Sequence, residues 1–287
     1  MAPRILPLRS PWFAFEIAIL SLCMATHSHA IDTLAAPHSA IPADIIGTWE
    51  VAKVYVDTGA TRTLLYRPDD FRLTGRVFQI SSRSITSNTP ERQDCQSPGI
   101  AASLPVEKLI EASMARRTVA PVAPTAEDYQ LRLPKNPKAA AFTVTCNGKP
   151  WGINLGHEGG IQGAWVLRTE TGRLAVRWYD ETVLELKRVP DGARPDPSFD
   201  CRKASTGSER TICGSVPLSR LDVSVARSFA AAAHEMREAG LQKSLATLKE
   251  EQRAWLVQRN RCKSNAACLE QAMSSRLESI ELMPRED

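Results

Sequence analysis

Residues 199–283 decide the fold. Their most informative fragments are Phe199-Asp200-Cys201, Thr211-Ile212-Cys213, Arg253-Ala254-Trp255-Leu256, Arg261-Cys262 and Ala267-Cys268-Leu269. Three segments within this stretch place apolar side chains three and four residues apart, which is typical of one face of an α-helix. The predicted stripes are Leu218, Leu221, Val225, Phe229, Ala232 and Met236, then Leu245, Leu248, Gln252, Trp255, Leu256 and Arg259, then Leu269, Met273, Arg276, Leu277 and Ile280.

Local signals mark where these helices begin and end. Gly240 follows the first stripe and Pro284 follows the third, as expected at helix C-termini. Thr206 and Glu209 fit a capping box, which predicts a short helical turn that ends near Cys213. The stretch is therefore predicted to be a helical module stapled by disulfides.

The four cysteines of this module allow three pairing schemes. We favour the two local pairs, Cys201 with Cys213 across one short helical turn and Cys262 with Cys268 at a corner between helices. The spacing leaves the other two schemes open. It disfavours a zinc site, because no two of these cysteines lie two to four residues apart. A module below about 100 residues has a marginal core, and each disulfide is expected to stabilise it by about 2–4 kcal/mol.

The order of motifs in residues 198–283 resembles the LprI-type lysozyme inhibitor family. The family pattern has an FDC start, an IC pair, a Leu-Asp that opens the long helix, a QRxWLxxR core and a closing cysteine pair. The matching residues are Phe199-Asp200-Cys201, Ile212-Cys213, Leu221-Asp222, Gln252-Arg253-Ala254-Trp255-Leu256, Arg259, Cys262 and Cys268-Leu269. The resemblance covers about a third of the chain. It implies that the protein binds lysozyme in the periplasm or at the cell surface.

We interpret the motif residues as mainly structural. Trp255 is expected in the core, and Asp222 is expected to cap or pair at the start of the long helix. Arg253 and Arg259 are expected to form salt bridges or helix-corner contacts. The full set is Asp222, Gln252, Arg253, Trp255, Leu256 and Arg259.

Residues 1–30 read as a secretory signal peptide. Arg4 and Arg9 precede an apolar segment that is interrupted by Glu16, and Ser28-His29-Ala30 fits a cleavage site. The apolar segment is too short to span a membrane as a helix, so no integral membrane segment is expected after its removal.

Cleavage would remove Cys23 and leave six of the seven cysteines. An even number of cysteines after a signal peptide favours an oxidising compartment, the periplasm or the outside of the cell. Cys95 and Cys146 are then expected to pair with each other. Leu22 stands where a lipoprotein signal has a small residue, so a lipid anchor on Cys23 is disfavoured.

The charge is mild. The chain of 287 residues has a formal net charge of +4, and loss of the signal peptide would leave +3. This balance gives no basic stripe for nucleic acid. The net charge of residues 196–287 is +1, which offers no acidic surface to attract a cationic enzyme.

Residues 31–43 are rich in Ala, Pro and Ser and are predicted to be a flexible leader. Residues 190–197 are predicted to be a linker, because their prolines and glycine interrupt both helix and strand. A mature length of about 255 residues favours two domains.

Residues 44–189 contain short alternating runs, which predict an antiparallel sandwich or barrel. These runs are Trp49–Val56, Arg76–Ile80, Asp128–Leu133, Ala141–Cys146, Ala164–Arg168, Arg173–Tyr179 and Thr182–Arg188.

Gly47-Thr48-Trp49 resembles the Gly-x-Trp opening of lipocalin-like barrels. A barrel of about eight strands can enclose a small ligand, and a filled barrel without a cavity is the alternative. Residues 103–117 have helical character and are predicted to be an excursion that could cover the barrel end. Trp151, Trp165 and Trp178 are expected in the core or on sheet faces, not in a ligand cage. The expected fold class is α+β and multidomain: an antiparallel lipocalin-like β-barrel, then a small disulfide-stapled helical module.

The sequence shows no catalytic pattern. His38, His157 and His234 lie far apart and in unlike contexts, so neither a triad nor a metal site is predicted. His157-Glu158 is the single polar pair that merits inspection. We therefore expect a binding protein without catalysis or cofactor, whose partner is a lysozyme-like enzyme or another envelope protein. The alternative is a carrier or sensor of a small apolar ligand.

Overall fold

The computed structural model describes residues 39–60, 62–114, 124–131, 141–152, 155 and 161–285. The predicted signal peptide, residues 1–30, lies outside the described residues. Described residues from 39 onward belong to one compact unit that contains an antiparallel sheet and a group of helices.

Eleven short antiparallel strands build the sheet within the described residues. The prediction of an antiparallel sheet before a helical segment is confirmed. The strands are β1 (Ser39–Ala40), β2 (Gly47–Tyr55), β3 (Val77–Ile80), β4 (Ser84–Ser87), β5 (Cys95–Gln96), β6 (Pro98–Leu104), β7 (Ala141–Cys146), β8 (Lys149–Pro150), β9 (Trp165–Arg168), β10 (Leu174–Arg177) and β11 (Val183–Arg188).

The sheet is curled into a half-barrel. Neighbouring strands follow the order β1-β6-β7-β9-β10-β11-β2-β3-β4-β5, and β8 pairs with β7 outside this order. β5 leads directly into β6 through Ser97, whose φ of 53° bends the chain. The disulfide between Cys95 and Cys146 joins β5 to β7. The β5 end of the strand order is therefore joined covalently to β6 and β7, the second and third strands from the other end.

Apolar side chains fill the inner face of the curled sheet. Phe78 and Trp178 meet edge to face with ring centroids 5.2 Å apart, and Trp151 lies 5.7 Å from Trp178. The indole N–H of Trp178 donates to Glu91, and that of Trp151 donates to the carbonyl of Gln93. These tryptophans are core residues, as expected, because buried indole rings are stable when their N–H groups are bonded.

Helix α1 (Val106–Ser113) packs on the opposite, outer face of the sheet. Leu109 and Ile110 belong to one apolar cluster with Trp165, whose indole N–H donates to Ser113 Oγ at 3.0 Å. The helical excursion predicted at 103–117 is confirmed for Val106–Ser113, whereas Ser103 and Leu104 belong to β6 and residues 115–117 lie outside the described residues. The helix covers a sheet face and not the end of a barrel. An amphipathic helix finds its apolar partner on the nearest exposed apolar strands, here β9 and β10.

Two expectations for the sheet region differ from the structure. The run predicted as a strand at 128–133 begins with a turn, in which the carboxylate of Asp128 accepts hydrogen bonds from Thr125. The backbone N–H of Leu131 donates to Ala126, which closes this turn. The flexible leader predicted at 31–43 overlaps the folded chain, because β1 pairs with β6 and Ile41 is buried.

The Gly-x-Trp opening has a physical role at the start of β2. The indole N–H of Trp49 donates to the carbonyl of Ile45 at 2.8 Å, and the guanidinium of Arg188 stacks 4.3 Å from the ring centroid. Gly47 has a φ of 146°, and a Cβ atom there would collide with Arg188. Glycine is therefore required for this stacking.

The C-terminal part consists of helices α2 (Gly207–Cys213), α3 (Val216–Glu238), α4 (Gln242–Asn260) and α5 (Ala266–Glu281). Thr206 and Glu209 form the predicted capping box, and Gly240 follows α3 with a φ of 74°. Disulfides link Cys201 with Cys213 and Cys262 with Cys268, which is the pairing favoured from the spacing.

The helices pack directly against the sheet region. Gly75 approaches α3 so closely that a Cβ atom would lie 2.5 Å from Ser224 Oγ, and Ser224 Oγ donates to the carbonyl of Thr74 at 2.7 Å. On the same side, Arg220 of α3 pairs with Glu50 of β2 at 3.2 Å. Contacts between segments distant in sequence thus hold α3 against the start of the sheet.

Candidate functional site: the outer surface of α4

The family-motif residues divide into a buried set and an exposed set. Asp222 on α3 and Arg259 on α4 form an ion pair at 3.3 Å, and both side chains are 5% exposed. The other carboxylate oxygen of Asp222 accepts from the backbone N–H and the hydroxyl of Ser198, at 2.8 and 2.6 Å. Asp222 of α3 therefore connects the chain at Ser198, where the helical module begins, with α4. The expected pairing of Asp222 and of Arg259 is confirmed.

The low polarity around Arg259 affects its ionisation. Burial lowers the pKa of its guanidinium, and the negative charges of Asp222 and Glu209 oppose that shift. Arg259 also donates to Asn260 and lies 5.5 Å from the ring centroid of Trp255. A buried arginine with this many partners is a structural residue, as predicted.

Gln252 and Trp255 connect α4 to α5. The indole N–H of Trp255 donates to the carbonyl of Ala272 at 3.1 Å, and Gln252 accepts from Arg276 Nε at 2.9 Å. Arg276 also pairs with Glu251 at 3.1 Å. Trp255 is half-buried at the edge of the core, so part of its ring remains accessible.

The C-terminal end of α4 is held by neighbouring elements. Ser208 on α2 lies within hydrogen-bonding distance of three carbonyl oxygens, those of Arg259, Asn260 and Lys263. The disulfide from Cys262 follows directly and pins the corner to α5. Carbonyl groups at a helix C-terminus lack intrahelical partners, so Ser208 supplies one. α4 is consequently a rigidly supported helix.

The exposed set lies on the other side of α4. Arg253 is exposed, Leu256 is 37% exposed and Val257 is 62% exposed. Spacings of three and four residues place these side chains, with Lys249, on one surface of the helix. We call Lys249, Arg253, Leu256 and Val257 the α4 surface. The expectation of a salt bridge for Arg253 differs from the structure, which shows no ion pair for it among the described residues.

A shallow groove of about 330 Å³ lies between α4 and α5, on the side of α4 away from the α4 surface. Trp255 lines it together with Gln258 from α4 and Ser279 from α5. The groove is therefore separate from the α4 surface, whose own apolar contact residues are the exposed pair Leu256 and Val257.

Val257 was not singled out by the sequence pattern, although it completes the exposed apolar pair with Leu256. A signal for it exists. Val257 lies two residues beyond Trp255, so a helix that buries Trp255 turns Val257 away from the core. An apolar residue at such a position is therefore a candidate contact residue.

Of the other candidate positions singled out in the sequence, only His234 lies within the described residues. His157 and Glu158 lie outside the described residues, as does His38, and His234 is exposed on α3 at 3.9 Å from Glu238. Across the described ranges no group of three metal-ligating side chains comes together. Within the same ranges no helix has the length and apolar composition of a membrane span.

No family model, no curated protein and no solved structure matches this chain.

Proposed function

We propose that this protein is a non-catalytic binding protein of an oxidising compartment, the periplasm or the outside of the cell, and that the α4 surface binds a lysozyme-like enzyme. The division of the motif carries this proposal: Asp222, Trp255 and Arg259 support α4 from within, while Arg253 and Leu256 stand exposed beside Val257. The exposed members of the motif are the ones that can contact a partner.

The rigidity of α4 favours binding. Association costs free energy for every side chain and segment that it orders, so a surface that is already fixed binds more tightly. Here α4 is fixed before a partner arrives. It is held by the Asp222–Arg259 ion pair, by the hydrogen bond that Ser208 donates and by the disulfide at Cys262.

The disulfides support the proposed compartment. Three disulfides join six cysteines, and disulfides persist in oxidising compartments while they are rare in the cytosol. The motif order supplies the partner, because the family that residues 198–283 resemble is one of lysozyme inhibitors. The net charge of +1 for residues 196–287 counts against long-range attraction of a cationic enzyme, so the proposed affinity depends on apolar contacts.

The alternative function, a lipocalin-like carrier of a small apolar ligand, has less support. The feature in its favour is the Gly-x-Trp opening, where Arg188 stacks on Trp49. The feature against it is the inner face of the curled sheet, which is occupied by packed side chains such as Phe78, Trp151 and Trp178. A carrier needs an apolar cavity of about 300–1,000 Å³ at that position.

Binding of lysozyme to the secreted protein, measured by calorimetry together with the rate of cell-wall lysis, tests the proposal. We expect saturable binding, and we expect Leu256→Asp and Val257→Asp each to weaken it about tenfold to a hundredfold, because a charge replaces an apolar contact.

Leu282→Asp is the matched control, since Leu282 is 70% exposed but follows the end of α5. Its affinity should equal that of the wild type. Absence of binding at high protein excess would contradict the choice of partner, and equal binding by all three variants would contradict the choice of surface.

A further inference from the structure

A cleft of about 740 Å³ separates the sheet region from the helices, on a side of the molecule that the α4 surface does not use. Its walls come from two parts of the chain, residues 72–92 of the sheet region and residues 215–278 of the helices. A volume of this size lies within the range of pockets that hold small molecules, about 300–1,000 Å³.

Arg76 forms the floor of this cleft and is 1% exposed. Its Nε donates to the carbonyl of Arg72 at 2.8 Å, and its Nη1 donates to the carbonyl of Asn88 at 2.7 Å and to Ser274 Oγ at 2.9 Å. All three acceptors are neutral. They hold the guanidinium in place without balancing its charge, and Nη2 has no hydrogen-bond acceptor among the described residues.

Asn88 lies next to Arg76 and lines the same cleft at 7% exposure. Its Oδ1 accepts from the backbone N–H of Val77 at 2.7 Å, and this bond fixes the orientation of the amide. Its Nδ2 is buried and has no hydrogen-bond partner among the described residues. A buried donor without an acceptor costs about 1–3 kcal/mol, and a ligand oxygen at this position would remove that cost.

The charges around Arg76 are of both signs, since Glu270 and Glu278 line the same cleft and Glu278 pairs with Arg72 at 3.5 Å. Burial lowers the pKa of Arg76 to about 10, and the charges of Glu270 and Glu91 oppose that shift, so the guanidinium remains charged at neutral pH. Arg72 on the cleft wall already pairs with Asp70 at 2.8 Å. A buried charge without a contacting counter-ion is unusual in a folded protein.

Two helices begin at this cleft. Ser215 and Pro217 at the start of α3, and Ala266 and Ala267 at the start of α5, lie on its wall. Backbone N–H groups in the first turn of a helix lack intrahelical acceptors and carry a partial positive charge. Both helix starts therefore add to the positive potential, whereas Glu270 and Glu278 on the wall oppose it.

We propose that this cleft binds the oxyanion group of a small ligand, a carboxylate or a phosphate, on Arg76 Nη2 and Asn88 Nδ2. The two donors supply N–H groups and no acceptor, which suits an oxyanion and excludes a cation. Arginine offers a planar fork that matches both carboxylate and phosphate oxygens. Pro90, Leu218 and Ala267 on the walls leave room for a short apolar body attached to that group.

Thermal unfolding of the full secreted chain at constant ionic strength tests this proposal, with acetate, inorganic phosphate and sulfate each replacing chloride. We expect at least one of the probes to raise the unfolding temperature in a saturable manner. Preference for acetate assigns the site to carboxylates, and preference for phosphate or sulfate assigns it to phosphate-type ligands. No increase with any of the three probes would overturn the proposal.

Two variants test the residues without removing Arg76. Asn88→Asp keeps the acceptor for Val77 but replaces the Nδ2 donor by a carboxylate oxygen, so it should abolish the response to anions while the protein remains folded. Glu270→Gln removes an opposing charge and should tighten anion binding about threefold to tenfold. Glu250→Gln, exposed on α4, is the control and should respond as the wild type does. A wild-type response in Asn88→Asp would contradict the site.

Discussion

Removing either partner of the Asp222–Arg259 ion pair should destabilise the protein strongly. The two charged atoms lie 3.3 Å apart, which corresponds to a gross attraction of about 5 kcal/mol at an effective dielectric constant of about 20. Desolvation offsets much of that attraction. Deleting one partner of a buried pair nevertheless costs about 3–5 kcal/mol, because the remaining charge stays buried without its counter-ion.

Arg259→Met and Asp222→Asn isolate the two halves of this effect. In Arg259→Met the carboxylate of Asp222 keeps its two bonds from Ser198. In Asp222→Asn the amide Nδ2 faces Arg259, which then has only Asn260 as a side-chain hydrogen-bond acceptor. We expect each variant to lose about 3–5 kcal/mol, and the double variant to lose less than the sum, because no charge remains buried.

Chemical and thermal unfolding followed by circular dichroism measure these losses, and the midpoint should fall by about 6 to 20 °C for each single variant. Arg202→Met is the matched control, because Arg202 pairs with Asp200 in solvent and its side chain is 90% exposed. Its midpoint should not change. Losses in the double variant that equal the sum of the single losses would refute the idea of a coupled buried pair.

Two further predictions concern other contacts of the module. Gly75→Ala should lower the free energy of unfolding by about 2–4 kcal/mol, because its φ is 80° and the new Cβ would clash with Ser224. The control Gly172→Ala has a φ of 71° but open space around it, so it should cost only about 1–2 kcal/mol. Equal losses would show that the contact with α3 is unimportant. Backbone N–H bonds from Thr206 and Ser205 lower the pKa of Glu209 below its ordinary value of 4.5, so its stabilisation is complete above that value and is lost as the pH falls through the lower folded pKa. Glu209→Gln should therefore reduce the loss of stability on acidification below pH 4.5, and an unchanged acid profile would argue against the capping carboxylate.

The helices could be predicted from the sequence because their signals are local. The capping box of Thr206 and Glu209, the stop at Gly240 and the apolar stripes all act within a few residues. Strand signals are weaker. The alternating run at 128–133 begins as a turn, because Asp128 bonds locally to Thr125. Short polar strands such as β4 carry no alternating pattern at all and form through their neighbours.

Structural roles for Asp222 and Arg259 were predictable from their motif positions, but their pairing with each other was not. They are 37 residues apart on two different helices, so only packing brings them together. The cleft at Arg76 could not be predicted, because its walls join residues 72–92 to residues 215–278. In the sequence Arg76 reads as a charged residue that starts a strand. Only packing reveals that no carboxylate of the described residues contacts its guanidinium.

Nuclear magnetic resonance of Leu and Val methyl groups during titration with lysozyme tests the binding surface most directly. Leu256 and Val257 are exposed on α4, while Leu245 and Leu248 of the same helix are buried and serve as internal references. We predict that the Leu256 and Val257 methyl signals shift and saturate, while the Leu245 and Leu248 signals stay in place. Unchanged signals at Leu256 and Val257 under saturating lysozyme would contradict binding through the α4 surface.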